Sequence, residues 1–85
     1  MDKNLRTLRL KIDEVDFKII NLFCKRIKLV NEIQEYKKQK NIPKIDKKRE
    51  KEIYQRLKKL AKEKKLNETF INKIFKLIVG YNGRS

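Results

Sequence analysis

The chain has 85 residues, of which 25 are lysine or arginine and 11 aspartate or glutamate, giving a formal charge of +14. So short a chain encloses one small core, no apolar run approaches the ~20 residues of a membrane span, and the charged N-terminal stretch lacks a signal peptide's apolar centre. One cysteine (Cys24) and no histidine exclude an internal disulfide, a Ser-His or Cys-His nucleophile pair and the common histidine metal sites. The expectation is a single domain over residues 1–85 in the reducing cytoplasm.

Pro43 is the only proline, and both glycines, Gly80 and Gly83, lie within six residues of the end. Stretches free of breakers and rich in lysine, leucine, isoleucine and glutamate predict helix. Three are expected: about 4–40, then 47–65 behind Asp46 as N-cap, then 67–82 with Asn67 as cap. No strand pattern or internal repeat interrupts them, so the fold class is all-α, one long helix and two shorter ones.

The first helix places Leu5, Leu8, Ile12, Val15, Ile19 and Leu22, then Leu29, Ile33 and Tyr36, at alternating steps of three and four. That is a heptad-type seam. A helix of this length extends ~55 Å, about twice the width of a globule of this size. Two shorter helices cannot cover it, and a second copy of the chain paired along the seam is the economical solution. An obligate homodimer is expected.

The seam is broken at position 26, which is arginine, and a buried unpaired charge costs several kcal/mol. Lys37 follows eleven residues later, about three turns on, so both cations point the same way some 16 Å apart. Arg9 borders the seam beside Leu8. On the second helix, the stripe Ile53, Leu57, Leu60 and Ala61 extends back to Arg49, Glu50 and Asp46. On the third, Phe70, Ile71, Ile74, Phe75 and Ile78 continue to Asn82. Taken singly, each polar residue has a bland reading. Arg26 pairs with a glutamate of a facing helix, Lys37 snorkels to solvent, Asp46 caps, Glu50 complements the helix dipole and Asn82 frays at an end. Cys24 is a small apolar residue flanking the seam, and the many other lysines are solvated surface. Jointly, the spacing describes a cation-rich pocket with one or two carboxylates, suited to a small, multiply anionic ligand that carries a hydroxyl.

The run LRLKIDEVDFKIINLFCKRIKLVNEIQEYK (8–37) resembles the first helix of the all-helical chorismate mutases of the AroQ class. IPKIDKKREKEIYQRL (42–57) is similar to that family's loop and second helix, with P-x-x-D followed by an RE pair, and LNETFINKIFKLIV (66–79) resembles its third helix. The resemblance covers nearly the whole chain without an insertion. It implies an intertwined three-helix homodimer that rearranges chorismate, a dicarboxylate, to prephenate in phenylalanine and tyrosine biosynthesis, with no cofactor or metal. It also implies roles. Arg26 binds a substrate carboxylate, Arg9 reaches the other subunit's site, and Lys37 contacts a carboxylate and the ether oxygen. Asp46, Arg49 and Glu50 lie near the ring hydroxyl, with Glu50 bonding it, and Asn82 stands near a carboxylate. Arg26, Lys37 and Glu50 are the expected catalytic set.

The family pattern continues with a glutamine four residues beyond Asn82, past Ser85, and losing one such donor typically costs about 10²–10³ in rate. Two expectations follow: a reduced rate, or a longer protein of which these 85 residues are a part. Two other functions remain open on the residues alone. An isochorismate pyruvate-lyase on the same fold would use a similar basic pocket. A basic helical dimer that binds nucleic acid through phosphates would explain the charge. The spread of lysines over all three helices, with no helix-turn-helix and no basic region entering a zipper, disfavours that last reading.

Overall fold

The computed structural model describes residues 2–81, which form three helices and, among those residues, no strand. Helix α1 spans Lys3–Gln39, α2 Lys47–Glu63 and α3 Glu68–Tyr81. Each starts on a side chain that accepts from otherwise orphaned backbone amides. Asp2 accepts from the amides of Asn4 (2.8 Å) and Leu5 (3.4 Å), Asp46 from Arg49 (3.0 Å) and Asn67 from Phe70 (2.9 Å).

The ends of α1 and α2 are built alike without glycine. Asn41 (φ 55°) and Lys65 (φ 58°) adopt the left-handed conformation. Beyond them the Ile42 amide donates to the Lys37 carbonyl and the Leu66 amide to the Ala61 carbonyl, both at 2.8 Å. This is the Schellman arrangement, which glycine usually supplies. It stops α2 at Glu63, two residues before the sequence pattern runs out, because helix-forming lysines conceal the turn.

α2 and α3 pack around Ile53, Leu57 and Val79, with Tyr54, Ile71 and Phe75 against them, and Ala61 is fully enclosed. Against them lies the C-terminal half of α1, contributing buried Val30 and Lys37 and half-buried Phe23, Arg26, Ile27 and Gln34. Phe23 meets Tyr81 edge-on, with ring centroids 5.3 Å apart, which ties the end of α3 to the middle of α1. The stripe α1 uses inside the chain is thus Phe23, Ile27, Val30, Gln34 and Lys37. It lies one residue around from the seam legible in the sequence, whose members Leu5 through Tyr36 are all exposed. Two further expectations need correcting. Leu60 and Phe70 are 42% and 59% exposed, whereas Val79, not singled out by the pattern, is buried.

Every residue from Asp2 to Leu22 is exposed. The molecule is accordingly long, 58 × 26 × 16 Å, with a radius of gyration of 16.8 Å against the ~12 Å of a globule this size. No described helix is long and apolar enough to cross a membrane.

Candidate active site

The hairpin of α1 and α2 gathers most of the polar residues singled out above. Lys37 sits in the last turn of α1 with only 9% of its surface exposed, and its Nζ donates to the Lys44 carbonyl of the connecting loop at 3.1 Å. An ammonium has three donors, so this bond fixes the group in place and leaves two for a ligand. The loop delivers Asp46 to the start of α2. There its carboxylate is committed to the Arg49 amide, so the cap reading of Asp46 holds alongside any role in binding. Glu50 is half-buried in the first turn, where a carboxylate also complements the helix dipole. Arg49 is exposed and stands 3.7 Å from Glu52, a solvent-facing pair of small energetic weight.

Arg26 is the unusual group. It is half-buried and makes no ion pair among the described residues. Burial, and then the positive charges of Arg56 and Arg49, hold its guanidinium below the ordinary arginine value, with Tyr54 acting weakly in the opposite sense. It remains charged at neutral pH, because arginine does not give up its proton in proteins. A partly desolvated cation whose strongest charged neighbours are other cations lacks the counter-charge that a carboxylate ligand would supply. The sequence reading anticipated Arg26 and Arg49 here and missed Arg56. Its signal was available: Arg56 follows Arg49 by seven residues, two turns along the same side of α2.

Two predicted residues are not brought to this hairpin. Arg9 lies on the bare half of α1, seventeen residues before Arg26, which is ~25 Å along one unbroken helix. Asn82 lies outside the described residues. A groove of about 510 Å3 between α2 and α3, lined by Tyr54, Leu57 and Ile71 with Lys51 and Lys58 at its rim, includes none of the predicted site residues.

The family model for chorismate mutase type II matches residues 8–82. The chain belongs to that family. It is 42% identical over 82 residues to a chorismate mutase of Methanocaldococcus jannaschii, an overlap of 96% of this chain and 83% of that protein. It is also 38% identical over 76 residues to a bifunctional chorismate mutase/prephenate dehydratase of Buchnera aphidicola subsp. Schizaphis graminum, where it spans 89% of itself but 20% of the longer protein. Chorismate mutase is the activity common to family and relatives, and neither the lyase nor the nucleic-acid reading is favoured.

Proposed function

We propose that this chorismate mutase family member rearranges chorismate to prephenate as a homodimer, each site joining the α1–α2 hairpin of one protomer to Arg9 of the partner subunit. The observation that carries this reading is the bare N-terminal half of α1, an exposed apolar seam with Arg9 on its border ~25 Å from Arg26. One helix cannot bend Arg9 back to its own Arg26. Two α1 helices crossing antiparallel about a two-fold axis near Phe17 and Lys18 set Arg9 of the partner subunit level with Arg26, since 9 and 26 are equidistant from that point. The same crossing covers the exposed seam and adds the missing wall of the pocket.

The rearrangement is unimolecular. The ether C–O bond breaks as a C–C bond forms, and no proton or group is passed to the protein. Arg26 and the partner's Arg9 grip the two carboxylates and hold the side chain over the ring, which supplies the entropic part of catalysis. Lys37, fixed by the Lys44 carbonyl, faces the ether oxygen and stabilises the negative charge that grows there as the bond breaks. Glu50 accepts from the ring hydroxyl, with Asp46 and Arg49 beside it, and Asn82 completes the carboxylate contacts. The reaction belongs to aromatic amino-acid biosynthesis in the cytoplasm, and the whole chain acts as one catalytic domain.

Mixing two inactive variants tests the proposal. Arg9→Ala and Arg26→Ala chains, each nearly inactive alone, are unfolded together and refolded in equal amounts. In a shared-site dimer, half the dimers are mixed and each has one intact site, so about a quarter of the parental turnover returns. No recovery from well-folded mixed dimers would show that Arg9 does not act across the interface.

A further inference from the structure

The hairpin that brings Arg26 to the site also brings a cation that the assignment above does not use. From Lys37, eleven residues back along α1 reach Arg26; from Ile45, beside the carbonyl that holds Lys37, eleven residues forward reach Arg56 on α2. The first path is about three helical turns; the second passes Asp46 and enters α2 at Lys47, nine residues or about two and a half turns before Arg56, so the two residues stand at similar levels of the α1–α2 hairpin. Arg49 lies two turns below Arg56 on the same side of α2.

Neither Arg26 nor Arg56 makes an ion pair among the described residues, and Arg49 has only its exposed contact with Glu52. Among charged groups, Arg56 lowers the Arg26 pKa the most, ahead of Arg49 and second only to burial. Like charges across a packed interface oppose folding unless something relieves them. A carboxylate at this level of α1 or α2 would have been the simple remedy, and among the described residues the ion pairs are Arg49–Glu52 and Lys62–Glu68, neither of which involves Arg26 or Arg56.

We propose that Arg56 is a third guanidinium of the anion site, one that sets affinity for doubly charged ligands and positions Arg26 without contributing to the chemical step. The inference rests on the dicarboxylate reading of the site. Both carboxylates of chorismate are charged before, during and after the rearrangement. A cation that senses them stabilises the bound ground state and the transition state equally, so it acts on KM and leaves kcat alone. In the empty protein the same cation is a source of repulsion that dissolved salt screens.

The test compares Arg56→Gln and Arg56→Lys with the parental chain, by chorismate kinetics and by thermal melting at low and high salt. For Arg56→Gln, KM rises about 3- to 10-fold while kcat stays within about twofold, and the lysine variant recovers most of the KM because it keeps the charge. The ligand-free Arg56→Gln protein melts higher than the parent at low salt, and the gain shrinks at high salt. An unchanged KM would overturn the proposal, as would a joint fall in kcat and Tm, which marks a merely structural side chain. A parental chain with no chorismate turnover would overturn the proposed function. The salt-dependent melting difference would still decide whether Arg56 loads the empty site with repulsion.

Discussion

The two halves of α1 have the same helix-forming composition and opposite fates. From Phe23 onward the helix packs against α2 and α3, and the stripe it buries becomes polar toward its end, finishing on Lys37 with Arg26 at its border. Before Phe23 the helix is more apolar, with Leu8, Ile12, Val15 and Ile19 on one seam, and each of these is more than half exposed. The half richer in apolar seam residues is thus the uncovered one, and the half that is covered turns charge inward. Fold stability and the site have been separated along a single helix. The N-terminal half carries apolar surface that the chain cannot use by itself, and the C-terminal half carries cations that need a ligand.

The sharpest way to break this contrast is to place a charge in the bare half. Val15 is 53% exposed in the single chain, so Val15→Glu is harmless if that surface is free. If a second copy buries it, the unpaired charge costs about 3–5 kcal/mol, and the variant sediments as a monomer or unfolds, losing turnover by more than about a hundredfold. Sedimentation with circular dichroism decides between the two. In the packed half, Arg26→Ala and Lys37→Ala are each expected to lower kcat/KM by about 10²–10³. Their melting behaviour should differ from that of an ordinary core lesion. The Arg26 pKa is lowered in the folded state, so at neutral pH its charge works against folding, and that penalty lifts only as pH rises into strong alkali. Arg26→Ala therefore removes activity with little loss of Tm, and a large drop in Tm would assign Arg26 a structural role instead. The smallest effect lies away from both halves. Lys65 holds a left-handed conformation that costs a non-glycine residue about 1 kcal/mol, so Lys65→Gly should raise Tm by roughly 4–8 °C with kinetics unchanged.

Much of this was legible in the residue order. The lack of breakers before Pro43, the caps Asp46 and Asn67 and the 3–4 spacing of apolar residues are local properties of a chain that folds through i to i+4 contacts. The positions of Arg26, Lys37, Arg49 and Glu50 relative to helix faces follow from the same geometry. The helix ends were less legible, because Asn41 and Lys65 adopt a conformation that glycine normally advertises. The buried stripe of α1 was mistaken for its neighbour, since Phe23, Ile27 and Val30 also step by four and three and differ from the seam by one residue. Periodicity reports that a face is apolar; it does not report what covers it.

The sequence by itself determined three helices, their order, an excess of positive charge and a set of polar residues at spacings that match one family of mutases. Tertiary structure decided which stripe of α1 turns inward, that Lys37 is held by a loop carbonyl while Arg9 stands a full half-helix away, and that the charge of Arg26 is opposed by Arg56 as well as Arg49. The physical reason is range. Helix formation and capping are settled by neighbours within a turn or two, whereas the company a charge keeps depends on which helix folds back beside it.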